Sequence, residues 1–229
     1  AAKAVVVELL KTCLEPHSLI EKGAKSGRKW LTCYEFTGTG AYQRRSTMFR
    51  KFVASEQIST TTPVKSSVQR GLTKNIADQY PDLSAEVLDE VLPKKSQVMV
   101  AKCQDHVNLL ISGDSKEVLF FNHRDGPQYP TLRLLYKAGD FMTKVWVDAG
   151  AIKPLIGGAD LMCRGIQADK LGDFPADTPV QIMAEGKELP FAIGISKLSS
   201  SAIKSADSGV GVEILHSLGD GLWNCVTVD

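Results

Sequence analysis

The 229-residue sequence has no C-x-x-C pair, no apolar run of membrane-spanning length, almost no net charge and no common catalytic signature. Each absence excludes something. Cys13, Cys33, Cys103, Cys163 and Cys225 stand singly, which argues against a zinc site or a disulfide framework and suits reduced thiols in the cytoplasm. The longest apolar stretches, such as Val5 to Val7 and Val118 to Phe121, fall far short of the ~20 residues that cross a bilayer, and Glu8 and Lys11 interrupt the first. A soluble chain without a secretory signal is therefore expected. A net charge of +1 excludes a nucleic-acid binder of the histone type, which needs a strongly basic face. The charge is uneven: residues 1–47 hold eight Lys/Arg against four Asp/Glu, and the remainder 19 against 22.

Catalytic patterns are also missing. G-x-S-x-G, H-E-x-x-H and G-x-x-x-x-G-K-[ST] do not occur, and Gly38-Thr39-Gly40 lacks the third glycine of a dinucleotide fingerprint. The four histidines are isolated in sequence, and His216 has no visible partner. Cys163 stands beside Arg164, which can lower a thiol pKa, but with no nearby histidine and a place on an expected strand it reads as a buried structural residue. No catalytic residue, metal site, cofactor or small-molecule substrate is expected.

With 43% hydrophobic residues the chain can bury more than one core. Residues 1–47 form an extension of unreadable role, followed by Met48. From Thr60 the pattern predicts a helix, with Pro63 in its first turn and Val64, Val68, Leu72, Ile76 and Tyr80 along one stripe. Ser84 suits an N-cap for a second helix carrying Val87, Leu88, Val91 and Leu92, which Pro93 stops. The period then changes to two over Val98–Val100, Val107–Ile111 and Val118–Phe120, which predicts strands. Thr131 to Tyr136 reads as a short helix or strand. The whole is α+β, with a small α+β domain over 48–139 and a second domain over 140–229. Short strands at 144–147, 161–163, 179–184, 191–196 and 222–228, with helices at 150–156 and 199–206, suggest a compact barrel.

Two sets of residues carry a family resemblance. Val147-Asp148-Ala149-Gly150-Ala151-Ile152-Lys153, then Gly157-Gly158-Ala159-Asp160-Leu161-Met162-Cys163-Arg164-Gly165-Ile166, with Gln181 to Gly186 and Gly209 to His216 behind it, resembles the PUA domain. Met48 to Phe52, Leu92-Pro93-Lys94-Lys95, Leu119-Phe120-Phe121 and Gly126-Pro127-x-Tyr129-Pro130-Thr131-Leu132-Arg133 are similar to the malignant T-cell-amplified sequence family, from about Met48 onward. Members resemble the N-terminal part of ligatin. The resemblance implies a PUA-type β-barrel after the α+β domain. It also implies a non-enzymatic, cytoplasmic translation factor that binds the small ribosomal subunit RNA and/or tRNA with a density-regulated-protein-like partner, in initiation, reinitiation or recycling. Where the family pattern has a proline, Arg164 stands.

Under that resemblance the expected RNA contacts are Asp148, Gly150, Ala151, Lys153, Gly157, Gly158, Ala159, Asp160, Met162, Arg164 and Gly165. The glycines let backbone N–H groups approach phosphate or ribose oxygens, unless they only close tight turns. Lys153 and Arg164 suit phosphates. Asp160 can accept from a base edge or a 2′-OH, or from backbone. Phe174, Phe191 and Trp223 read as core, and Tyr129, Pro130 and Arg133 as a lock between domains. Two other readings remain open: an accessory subunit of an RNA-modifying enzyme, and a protein-interaction module that no longer binds RNA.

Overall fold

The computed structural model describes residues 48–206 and 208–228; the expected extension over 1–47 lies outside the described residues. The first expected helix begins later than the pattern suggests. Ile58–Pro63 is strand β1, antiparallel to β2 (Val98–Cys103) with Thr61 opposite Ala101. Thr60, Thr61 and Thr62 are β-branched and suit extended backbone, and Pro63 sits at a sheet edge where its missing N–H costs nothing. The helix is Ser66–Gln79. A four-residue spacing drifts by about 40° per step on a helix of 100° per residue, so the stripe cannot all face inward. Ile76 and Tyr80 are buried whereas Val68 is 52% exposed. Gln69 turns inward instead, its amide donating to the carbonyls of Pro93 (3.2 Å) and Ser96 (3.1 Å).

Ser84 caps the helix Ala85–Val91 by accepting from the Val87 N–H, as its position predicts. Strands β2, β3 (Val107–Ser112) and β4 (Val118–His123) form an antiparallel meander, and β5 (Tyr129–Pro130) pairs with β4, giving the order β1-β2-β3-β4-β5. His106 ends a 3-10 turn, Gln104–His106, directly before β3, with φ of 59°. Thr131 caps the helix Leu132–Ala138, its hydroxyl accepting from the Leu134 N–H and donating to the Val118 carbonyl. The edge strand β1 carries no buried residue, whereas around β4 this sheet is buried on both faces. On one, Leu109, Ile111 and Phe121 join Phe49, Phe52 and Leu215 in a single apolar cluster. On the other, the helices Ala85–Val91 and Leu132–Ala138 flank Leu119. Burial on two faces is why β4 carries four consecutive apolar residues rather than an alternation.

The second sheet contains β6 (Thr143–Val147), β7 (Leu161–Met162), β8 (Pro179–Ala184), β9 (Ala192–Ser196) and β10 (Val210–Ser217) in the order β6-β8-β9-β10-β7. Only the β6–β8 pair is parallel. The bridge Val147↔Ile166 and the 2.9 Å bond from the Gln167 N–H to the Trp146 carbonyl draw the chain leaving β7 back to β6, which curls the sheet toward closure. The expected strand over 222–228 is instead a short helix, Gly221–Asn224, followed by irregular chain. Asp220 decides this, because its carboxylate accepts from the Trp223 N–H at 2.8 Å and caps the helix. Gly221 allows Phe52 to lie against it: a Cβ there would stand 2.0 Å from the Phe52 carbonyl oxygen.

Candidate nucleic-acid interface

After β6 the chain makes a 3-10 turn, Ala149–Ala151, and the helix Ile152–Ile156, whose Ile152 and Leu155 are buried. Asp148, Gly150, Lys153, Gly157, Ala159, Asp160, Met162 and Arg164 are exposed, and Ala151, Gly158 and Gly165 half-buried. Gly158 has φ of 93°, the left-handed conformation that reverses the chain after the helix.

The glycine amides do not serve as free phosphate donors. The N–H groups of Gly157, Gly158 and Ala159 donate to the carbonyls of Lys153 (3.0 Å), Leu155 (3.0 Å) and Pro154 (3.1 Å). They close a helix C-terminus, whose dipole end is negative and unsuited to an anion. The first turn, at Ala149 and Gly150, is the end with amides lacking intrahelical acceptors. Of the expected backbone contacts only Gly150 keeps an amide without an intrahelical acceptor, because the Ala151 N–H donates to the Asp148 carbonyl at 3.0 Å.

The two acidic residues of the expected set lie in different neighbourhoods. Asp148 accepts from the Gln167 amide at 2.7 Å, beside Glu185 and Lys170, which pair at 3.3 Å. Asp160 accepts from the Ile214 N–H of β10 at 3.1 Å, so it fixes the turn to the sheet. Burial against β10 raises its carboxyl above the ordinary value; the Ile214 bond opposes this and Glu213 adds to it. Lys153 and Arg164 have no ion-pair partner among the described residues, and no bond joins one to the other. Cys163 is buried at the start of the turn Cys163–Gly165, which lifts Arg164 into solvent. Met162 beside it is 39% exposed, an apolar surface on an edge strand.

The aromatic residues are core, as expected: Phe174, Phe191 and Trp223 are all buried. Arg133 donates from Nη2 (2.7 Å) and Nε (3.3 Å) to the Trp223 carbonyl and stacks 4.5 Å from its ring. With the Tyr136 hydroxyl donating to the Pro190 carbonyl, it ties the helix Leu132–Ala138 to the second sheet. His216 has the partner that its sequence neighbours hid. Its Nδ1 lies 2.8 Å from Asp220 Oδ2, both side chains are buried, and the ring packs edge-on against Phe49 and Phe121. The i,i+4 spacing of His216 and Asp220 was the available signal.

Family models match both sheets in order: a Pre-PUA-like domain over residues 52–138 and "elF2D, PUA domain" over 142–221. Malignant T-cell-amplified sequence 1 homolog of Drosophila melanogaster is 46% identical over 77% of this chain and 97% of its own. The chain belongs to the malignant T-cell-amplified sequence family. Translation machinery-associated protein 20 of Schizosaccharomyces pombe is 44% identical over 78% of this chain and 99% of its own. A hypothetical protein from Pyrococcus horikoshii shares the fold at 23% identity, with a TM-score of 0.59 over 73% of this chain and 99% of that one. The α+β architecture of this family member is thus a Pre-PUA domain followed by a PUA domain.

Proposed function

We propose that this family member is a non-enzymatic, RNA-binding translation factor of the cytoplasm. It acts with a density-regulated-protein-like partner on the small ribosomal subunit RNA and/or tRNA, in initiation, reinitiation or recycling. The observation that carries the reading is the tandem match of both family models, with relatives of 44% and 46% identity, one of them named for the translation machinery. The division is taken at 48–139 and 140–229, the second unit holding RNA. Its contact face runs from Asp148 to Gly165, where Lys153 and Arg164 are exposed cations without ion-pair partners among the described residues. Asp160, held by Ile214, positions the turn, and Met162 offers apolar contact.

The test is co-sedimentation of the pure protein with small ribosomal subunits across a salt series, alone and with a density-regulated-protein homologue. Binding is expected to fall with salt. Lys153→Glu with Arg164→Glu should lower the log–log salt slope by roughly 1 for each phosphate that the two cations no longer neutralise, while the fold stays intact. Absence of binding at low salt, with or without the homologue, overturns the reading. Binding unchanged by the double substitution moves the RNA contact off this face.

A further inference from the structure

We propose that the cleft between the helices Ala85–Val91 and Leu132–Ala138 is a docking groove for a basic, aliphatic helical segment of a partner protein. This rests on the reading that the chain works with a protein partner, and it assigns that partner a surface in the Pre-PUA domain. The cavity measures about 300 Å³, at the lower end of those that hold ligands. Its floor is apolar, from buried Leu119 and Leu134, with half-buried Val87 and Val91 along one wall.

The rim chooses the occupant. Glu90, Asp114 and Glu117 surround the cleft against a single cation, Lys137, which pairs with Glu117. Glu90 and Asp114 are exposed and have no ion-pair partner among the described residues. A rim with two unbalanced carboxylates repels phosphate, so RNA is excluded here, whereas Lys or Arg flanking an aliphatic stripe is attracted and steered. A cleft walled by two helices accepts apolar anchors spaced i, i+3/i+4, i+7 on an incoming helix. Protein and RNA would then occupy different domains of one molecule.

The test uses the full ¹⁵N-labelled chain and two synthetic amphipathic peptides of about four helical turns. Both carry the same Leu face; one has a Lys polar face and the other a Glu polar face. The Lys peptide is expected to shift the resonances of Val87, Val91, Leu119 and Leu134, and to lose at least tenfold in affinity with Glu90→Lys plus Asp114→Lys. The Glu peptide should leave those resonances unmoved. If neither peptide moves them, or both do equally, the inference is wrong. A density-regulated-protein homologue separates this inference from the reading beneath it. If it binds the wild type and Val87→Glu equally well, the groove is refuted and the partner stands. If it fails to bind the wild type while the Lys peptide binds, the named partner falls and the groove stands.

Discussion

Asp220→Ala should be among the most damaging single substitutions in the PUA domain, although Asp220 bonds to none of the residues proposed to contact RNA. Its carboxylate accepts from His216 Nδ1 (2.8 Å), the Ser217 N–H (2.9 Å) and the Trp223 N–H (2.8 Å) in a site closed by Phe49 and Phe121. An ionised carboxylate only accepts, so Nδ1 carries the imidazole proton. Truncation removes a helix N-cap, at about 0.5–2 kcal/mol, and strands two further donors where water is excluded, at about 1–3 kcal/mol each. Partial relaxation brings the total to about 3–5 kcal/mol, the range for removing one partner of a buried pair. At roughly 2–4 °C per kcal/mol for a chain of this size, the melting temperature falls by about 6–20 °C. Urea denaturation followed by Trp fluorescence measures the loss. His216→Phe keeps both backbone bonds to Asp220 and should cost less, about 1–3 kcal/mol. A loss under about 1 kcal/mol for Asp220→Ala, or a larger one for His216→Phe, would show that the carboxylate is not the node described.

The bidentate bond and ring stacking of Arg133 make Arg133→Lys non-conservative, with an expected cost of about 1–3 kcal/mol in denaturant; a neutral result would remove Arg133 as the lock between the sheets. Burial, and Cys225 nearby, push the Cys103 thiol up to about 11. Site-resolved alkylation at pH 8 should therefore run roughly two orders of magnitude slower at Cys103 in the folded chain than in urea, and equal rates would contradict its burial. Asp160 holds its proton more tightly folded than unfolded, so its ionised form lowers stability as pH rises past the carboxylate range. Asp160→Asn keeps an oxygen for the Ile214 N–H and should stabilise at pH 7, with the gain gone by about pH 3; a gain independent of pH would rule out the charge as its cause. Gly158→Ala, at φ of 93°, should cost about 1–2 kcal/mol by denaturation, and a stability equal to wild type would mean that the turn relaxes.

The elements legible in the sequence were those fixed by local chemistry. Ser84 and Thr131 cap helices where their hydroxyls predict, and Val98 to Phe120 alternates into the expected strands. What failed depended on distant partners. Thr60 to Pro63 takes the strand conformation because β2 offers it an edge, and Leu222 to Asn224 is helical because the Asp220 carboxylate turns back on it. β10 was hidden by Gly209 and Gly211, which interrupt an apolar pattern that pairing with β9 completes. Of the candidate stretch, eight of the eleven residues are exposed, while Ala151, Gly158 and Gly165 are half-buried. The direction of its amides was overlooked although chain order carries it: Gly157 and Gly158 follow the expected helix at 150–156, so they stand at its C-terminus, where N–H groups bond back to helix carbonyls.

That direction changes the physics of the RNA reading. With the amides of Gly157, Gly158 and Ala159 committed to the helix carbonyls, the backbone contributes little to anion binding at that turn. The contribution shifts to side chains, Lys153 and Arg164 above all, and to the exposed Met162. In the proposed contact, two long cations without ion-pair partners among the described residues would make binding salt-dependent and carry no sequence information of their own. A net charge of +1 over the whole chain adds no broad electrostatic attraction to compensate. Under the proposed function, specific residence on a large RNA would call for a second point of attachment, and the proposed groove of the Pre-PUA domain would supply it through a protein, because its acidic rim repels phosphate.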